Sequence, residues 1–86
     1  MDINQLIAIV KKKLKNQINI ESIKIEDKSF LHKNHAGNQE GRYHLKIILC
    51  SSELKNLNRI KSNKKIYKIL DYELKNYIHS IQILIS

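Results

Sequence analysis

Residues 43–50 read YHLKIILC, and this stretch decides the fold of the chain. Every second side chain along it is apolar: Tyr43, Leu45, Ile47 and Leu49. Because alternate side chains of a strand point to opposite faces, this period of two predicts a β-strand with one face on a hydrophobic core. His44 and Cys50 are expected on the other, less buried face, and both are interpreted as structural positions.

A second isoleucine-rich stretch precedes this strand. Its apolar positions carry β-branched side chains, which favour strands: Ile18, Ile20, Ile23 and Ile25. The alternation slips by one between the two pairs, so a β-bulge is expected near Glu21 and Ser22. The chain therefore has two predicted strands separated by a polar segment, residues 27–41, with the sequence DKSFLHKNHAGNQEG.

An amphipathic helix is expected before these strands. Apolar residues recur there at helical spacing and form one stripe: Ile3, Leu6, Ile7, Val10 and Leu14. Asp2 is placed to cap the start of the helix, and lysines gather near its end at positions 11, 12, 13 and 15. Those lysines could bind phosphate, but cations in a last turn also complement the helix dipole, so a solvated basic face is the favoured interpretation.

The chain after the quoted strand is expected to form a helical connection and a third strand. Ser51 or Ser52 can cap a short helical turn that contains Leu54. A longer helix follows, with apolar residues leading into it and along its inner face: Leu57, Ile60, Ile66, Leu70 and Leu74. Residues 78–86, IHSIQILIS, alternate again and predict a strand with four side chains on one face: His79, Ile81, Ile83 and Ile85.

These elements predict a single α/β (α+β) domain over residues 1–86, since a chain of this length has room for one core. The order is α-β-β-α-β. A helical crossover from the second strand to the third favours a right-handed connection and a small mixed three-stranded sheet with helices on one face. The order is close to that of a KH-type domain, although the GXXG loop of such domains is absent: Gly37 and Gly41 are four apart and lie elsewhere.

Composition bounds the partners and the compartment. The formal net charge of +8 would attract phosphate or an acidic protein, although the abundance of Lys, Asn and Ile is equally consistent with codon bias in an AT-rich genome. A single Cys50 excludes an internal disulfide and fits a reducing compartment, so we expect a cytoplasmic protein. The first residues, MDINQLIAIVKKKLK, are unlike a secretory signal and too short to span a bilayer, so no membrane association is expected.

Histidines are the candidate ligands of the chain. His32 and His35 have the spacing of a metal half-site, but a closed zinc site needs about four ligands, and the sequence does not identify the others. His79 shares parity with three isoleucines, which is typical of a core histidine, although it lies where the chain leaves a helix. No catalytic triad, P-loop or dinucleotide turn is present, so the sequence favours a protein that is not an enzyme.

The segment 55–68, KNLNRIKSNKKIYK, carries enough positive charge for a helix that follows a phosphate backbone. Its candidate nucleic-acid-binding residues are Lys55, Arg59, Lys61, Lys64, Lys65 and Lys68. The segment has no signature of base-specific recognition, so charge alone supports this hypothesis.

Three stretches together resemble the BolA family over nearly the whole chain. DKSFLHKNHAG is similar to that family's loop acidic-x-Ser-x-x-His-x-x-His-Ala-Gly, and YHLKIILCS to its strand Ser-His-Phe-Lys-Val-Val-hydrophobic-Val-Ser. IYKILDYELKNYIHSIQI resembles its ending Val-Tyr-x-x-Leu-x-x-Glu-Leu…Ile-His-Ala-Leu. The order and the spacing of all three stretches match.

The resemblance implies a KH-like (type II) domain that is monomeric alone and forms a heterodimer with a monothiol glutaredoxin. The two proteins would share a 2Fe-2S cluster, which the isolated chain is not expected to hold. A glutaredoxin cysteine and a glutathione thiol would bind one iron, while His79 and His32 of this chain would bind the other. His35 would be an alternative ligand or a hydrogen-bond partner of a ligand. The implied role is iron–sulfur cluster assembly, trafficking or iron regulation.

The chain departs from the family pattern in the segment after the second strand. Ser62, Asn63 and Lys64 stand where the family commonly has Arg-His-Arg, and Leu54-Lys55-Asn56 replaces its Phe-x-Gly. Some family members are described as transcriptional regulators of stress response and morphology, so a DNA-binding regulator is the alternative hypothesis.

Overall fold

The computed structural model describes residues 1–29 and 43–86. Its elements are α1 (Ile3–Gln17), β1 (Ser22–Asp27), β2 (Tyr43–Cys50), α2 (Ser52–Lys55), α3 (Arg59–Ile69), α4 (Asp71–Asn76) and β3 (Ile78–Ile85). The strands form one sheet in the order β1-β2-β3. β2 pairs antiparallel with β1 and parallel with β3, which confirms the predicted mixed sheet.

The first helix forms as its sequence predicts. The backbone N–H of Gln5 donates to Oδ1 of Asp2 at 2.8 Å, and the Gln5 side chain accepts from the Asp2 N–H at 3.1 Å. This reciprocal capping box satisfies amide groups that would otherwise have no partner at the helix start. Leu6, Val10 and Leu14 are fully buried, so the apolar stripe of α1 faces the core.

The core lies between one face of the sheet and the helices. β2 buries Leu45, Ile47 and Leu49 on that face, as its alternation predicts. The helices cover it with buried side chains from α1, α2 and α3 and from the residue that follows α3: Leu6, Val10, Leu14, Leu54, Ile66 and Leu70. The sheet therefore has one covered face, and its two outer strands are β1 and β3.

The predicted strand around Ile18 and Ile20 begins later than expected. β1 starts at Ser22, and Ile18 is the C-cap residue of α1 with only 3% of its surface exposed. The predicted bulge near Glu21 and Ser22 is therefore wrong. The alternation slips there because the first two isoleucines belong to the α1–β1 connection and not to the strand.

The predicted short helical turn forms as α2, and the predicted longer helix is divided into α3 and α4. Ser51 is the N-cap of α2, and its side chain accepts from the N–H of Leu54. α3 ends before Leu70, whose ψ of 17° leaves the helical region while its side chain stays fully buried. Ile60, expected to lead toward the longer helix, lies in the first turn of α3 and is 68% exposed.

β3 contains an irregularity that decides which of its side chains reach the surface. Tyr43 pairs with Ile78, but the next residue, His44, pairs with Ser80, so β3 holds one extra residue at His79. Ile78 is buried, whereas His79 is exposed. The prediction that His79 shares a face with the isoleucines of β3 is therefore wrong, because the extra residue reverses the alternation.

No helix within the described ranges is both long and apolar enough to cross a membrane.

Candidate functional site

Two histidines meet where β2 and β3 begin. The imidazole rings of His44 and His79 lie edge to face, with centroids 5.0 Å apart and an angle of 62° between their planes. His79 is exposed, whereas His44 is only 5% exposed. The surface of the protein therefore presents one imidazole that rests against a second, buried one.

His44 is held by hydrogen bonds to β3 and to the two residues that follow β1. Its Nδ1 shares a hydrogen bond of 2.6 Å with Oγ of Ser80 in β3. Its backbone N–H donates to Oγ of Ser29 at 3.1 Å, and its carbonyl accepts from the N–H of Lys28 at 2.7 Å. His44 shares the predicted, less buried face of β2 with Lys46, Ile48 and Cys50, but it is more buried than they are because its ring packs against Ser80 and His79.

A shallow pocket of about 370 Å³ opens beside the histidine pair. Its lining comes from the end of β1 and from β2 and β3: Lys28, His44, Leu45, Lys46, Ser80, Ile81 and Gln82. The two lysines give the lining a positive character. A small anionic group could enter this pocket, where His44 forms part of the lining.

The predicted ligands His32 and His35 lie outside the described residues. The segment that contains them joins Ser29 to Tyr43, and both of these residues adjoin the histidine pair. Within residues 1–29 and 43–86, no three His, Cys, Asp or Glu side chains are close enough to hold a metal ion together. The described part of the site therefore contains one exposed candidate ligand, His79.

The predicted nucleic-acid-binding residues divide into two groups. At about 100° per residue, four lysines of α3 fall within about 100° of arc, away from the buried Ser62 and Ile66: Lys61, Lys64, Lys65 and Lys68. Lys55 and Arg59 lie apart from this lysine face and line a groove of about 390 Å³ between the helices and the end of β3. The six residues do not form one continuous surface.

A basic groove between α1 and α3 extends the lysine face. Lys13 lines this groove of about 560 Å³ together with Lys65 and Lys68. Nζ of Lys13 also lies 2.6 Å from Oε2 of Glu73, and Nζ of Lys65 lies 2.7 Å from Oε2 of Glu53. Two of the three cations in the groove are therefore already engaged by carboxylates.

Sequence analysis did not identify His44 and Ser80 as neighbours of His79, and it placed Lys13 in a separate solvated face. The sequence did contain a signal for the position of His79. If one extra residue is allowed in the strand, Ile78 joins Ile81, Ile83 and Ile85 on one face, and His79 lies on the other. The position of Lys13 in one groove with Lys65 and Lys68 depends on how α1 packs against α3, and local sequence carries no signal of it.

Known proteins resemble this chain in sequence and in fold. A family model described as "BolA-like protein" matches residues 14–86. The chain is 27% identical over 73 residues to a Haemophilus influenzae protein named "DNA-binding transcriptional regulator BolA", a match that covers 85% of this chain and 68% of the relative. It is 25% identical over 79 residues to the Arabidopsis thaliana "SufE-like protein 1, chloroplastic/mitochondrial", covering 86% of this chain but only 21% of that longer protein.

Solved structures share the fold. The BolA domain of SufE1 from Arabidopsis thaliana superposes with a TM-score of 0.77 at 24% identity, over 92% of this chain and 87% of that one. BolA1 from Mus musculus superposes with a TM-score of 0.72 at 19% identity, over 90% and 60% of the two chains.

Proposed function

Because the chain belongs to the BolA-like protein family, we propose that it is a non-enzymatic adaptor that pairs with a monothiol glutaredoxin and shares a 2Fe-2S cluster with it. Its role would be in iron–sulfur cluster assembly, trafficking or iron regulation. The observation that carries the proposal is the exposed imidazole of His79, supported by His44 beside the ends of a segment that contains two further histidines. The proposal places the chain in the cytoplasm, where the Cys50 thiol stays reduced.

The imidazole that the described residues expose is suited to a 2Fe-2S cluster shared with a partner. Imidazole is a good ligand for iron, and histidines can replace cysteines on one iron of a 2Fe-2S cluster, which raises its potential. His79 is the single exposed histidine among residues 1–29 and 43–86, so the remaining ligands must come from residues 30–42 and from a partner. A glutaredoxin cysteine and a glutathione thiol would supply the partner's share.

The resemblance to the BolA family favours His32 over His35 as the second ligand from this chain. Ser29, three residues before His32 in the sequence, is anchored to the His44 backbone beside the histidine pair. When bound, the cluster would supply a transferable iron–sulfur unit, and His79 and His32 would hold this chain's side of it.

The test is a titration of a 2Fe-2S cluster, reconstituted on a monothiol glutaredoxin with glutathione, followed by visible circular dichroism. Wild-type protein should change the spectrum with saturation at one chain per glutaredoxin. His79→Ala should abolish the change and His32→Ala should weaken it. Gln82→Ala is the matched control, because Gln82 is also exposed on β3 but is not a proposed ligand. An unchanged spectrum with wild-type protein would contradict the proposal.

A DNA-binding transcriptional regulator is the second candidate. The lysine face of α3 favours it, as does the name of the Haemophilus influenzae relative. A regulator should prefer one DNA sequence over competitor DNA of the same length at physiological salt. Binding that shows no preference in such a competition assay would reflect only the net charge of +8.

A further inference from the structure

β3 is an edge strand whose outer side has no pairing strand among residues 1–29 and 43–86. On its inner side, the N–H of Ser86 donates to the carbonyl of Leu49, and the carbonyl of Ser86 accepts from the N–H of Ser51. Backbone groups of a strand alternate in direction from residue to residue. Those of Ile81, Ile83 and Ile85 therefore point away from β2, toward the open edge.

The side chains of the same three residues form an apolar seam along this edge. Ile81, Ile83 and Ile85 pack against the core, yet each remains only partly buried. On the opposite face of the strand, Leu84 is 41% exposed. The edge thus combines unpaired backbone groups with apolar surface that another strand would cover.

β3 also lacks the features that normally prevent edge-to-edge pairing. Charged side chains, proline and short length protect most edge strands. The other edge, β1, has six residues that include Lys24, Glu26 and Asp27. β3 has eight residues, and the sequence 78–86 contains no charged residue and no proline.

We propose that β3 is a self-association surface that pairs antiparallel with β3 of a second copy of this chain, about a two-fold axis at Ile83. Ile83 would then exchange both backbone hydrogen bonds with Ile83 of the second copy, and Ile81 would face Ile85. The outward backbone groups recur at alternate residues on both sides of Ile83, so the strand is complementary to itself. Each copy offers one such edge, and the pair closes as a dimer.

The symmetric apolar pattern of β3 favours a second copy as the occupant, because Ile81 and Ile85 lie at equal distances along the strand from Ile83. Pairing places no charged side chain of β3 in the interface and brings two partly exposed isoleucine seams together. A single strand pair is a small interface, and the net charge of +8 on each chain opposes association. The dimer is therefore weak: dilute protein is monomeric, and association increases with concentration and with salt, which screens the repulsion. His79 precedes the paired stretch and stays accessible.

The register predicts a specific charge-swap test. In this pairing Gln82 lies directly opposite Leu84 of the second copy. The double variant Gln82→Lys/Leu84→Lys places lysines opposite each other at two positions, and Gln82→Glu/Leu84→Glu does the same with carboxylates. Like charges directly opposite each other weaken strand pairing, whereas opposite charges strengthen it. Both positions are exposed, so the monomer should stay folded, which thermal melting of each variant checks.

Sedimentation velocity from about 10 µM to about 1 mM covers the range expected for such a weak pair. The wild-type mass should rise toward that of two chains and should rise further with added salt. Each double variant should remain monomeric, and an equimolar mixture of the two should recover the dimer. Ser22→Lys, on the other edge strand, is the control and should dimerise like the wild type.

Three results would overturn the inference. Wild-type protein that stays monomeric at about 1 mM excludes the interface. Dimerisation that persists in both double variants places the dimer interface elsewhere on the protein. A mixture of the two variants that fails to recover the dimer rejects the antiparallel register. None of these results bears on the glutaredoxin proposal, which depends on His79.

Discussion

Glu73 is a buried carboxylate that joins the first helix to the last. It is 3% exposed, and its Oε2 lies 2.6 Å from Nζ of Lys13. Its Oε1 is buried and has no hydrogen-bond partner among the described residues. Because burial of an unpaired charge is costly, the cation of Lys13 is needed to keep this carboxylate in the core.

We expect Lys13→Met to lower the free energy of unfolding by about 1–3 kcal/mol, because it leaves the Glu73 carboxylate buried without its cation. Adding Glu73→Gln should recover much of this loss, since a neutral amide costs less to bury. Urea denaturation measures both values. Lys12→Met is the control, because Lys12 is an exposed lysine of the same helix and its change should cost less than about 0.5 kcal/mol. Equal losses for the two single variants would contradict this role of Lys13.

Glu53 links α2 to α3 and should make part of the stability depend on pH. Hydrogen bonds from Lys65 and from the backbone N–H of Asn19 lower the pKa of Glu53 below its usual 4.5. Because the pKa of Glu53 is lower in the folded state than in the unfolded state, its ionised carboxylate stabilises the fold. This stabilisation is complete above the unfolded-state pKa and is lost as pH falls through the folded-state pKa. Melting temperatures of wild-type protein and Glu53→Gln should therefore differ at pH 6 and converge toward pH 3. A difference that does not change with pH would contradict this coupling.

The exposure of single histidines could be predicted only in part from sequence. The family resemblance identified His79 as a candidate ligand, whereas simple alternation placed it on the same face as the isoleucines of β3. His79 is exposed because the strand contains one extra residue at this point. His44 alternates as expected, yet it is buried by contacts from Ser29 and Ser80. Contacts of this kind join residues that are distant in sequence, so local patterns do not reveal them.

At the scale of elements, Ser51 connects the end of β2 to two other parts of the chain. Its Oγ donates to the carbonyl of Asn19 at 2.7 Å and accepts from the N–H of Leu54 at 3.2 Å. Ser62, which stands in the segment where the family commonly has Arg-His-Arg, donates from Oγ to the carbonyl of Leu54 at 2.8 Å. Both serines are buried, so hydrogen bonds of their hydroxyl groups stabilise the helical connection between β2 and β3.

We expect Ser51→Ala to cost about 1–3 kcal/mol of unfolding free energy, since it removes a helix cap and leaves the Asn19 carbonyl without its donor. Ser52→Ala is the matched control. The Ser52 hydroxyl donates to Glu21 at the surface, so its loss should cost less than about 1 kcal/mol. Chemical denaturation of the two variants makes the comparison, and a larger loss for Ser52→Ala would contradict the assignment of Ser51 as the cap.

Element types could be predicted from sequence more readily than element boundaries. The period of two in β2 and the stripe of α1 determine which face each buries, and both predictions are confirmed. The break at Leu70 was not predictable, because neither glycine nor proline occurs there and the residue is buried like its neighbours. Backbone geometry at such a break depends on how α3 and α4 pack against the sheet.

At the scale of the whole molecule, positive charge is concentrated unevenly. Three of the four lysines on the lysine face of α3 are exposed and Lys65 is half-buried, whereas lysines elsewhere in the described residues are spread over several helices and strands. Surface charges act over about 8–10 Å at physiological salt. A local cluster of lysines therefore attracts phosphate more strongly than the same number of lysines spread over the whole surface. The lysine face could be predicted from sequence, but its continuation through Lys13 required the packing of α1 on α3.

If this face contacts DNA, Lys61→Ala/Lys64→Ala/Lys68→Ala should reduce the slope of log affinity against log salt by about 2–3, because each phosphate contact contributes about 0.9. Lys12→Ala/Lys15→Ala/Lys24→Ala removes the same charge from exposed positions outside α3 and should change the slope by less than about 1. Fluorescence anisotropy with a labelled duplex measures both slopes. Equal reductions would show that binding follows total charge and not the lysine face.

The parallel pairing of β2 with β3 also has a kinetic consequence. β2 can join β1 across residues 28–42, but the pairing of Tyr43 with Ile78 must wait until the intervening helices bring the two ends together. Closing a longer loop costs more entropy, and such non-local pairings slow folding. The contact between His44 and His79 then forms only at the end of folding. Amides at the start of β3 should therefore gain protection from hydrogen exchange later than those of β1 and β2, so a chain in which the exposed His79 packs against His44 has already folded.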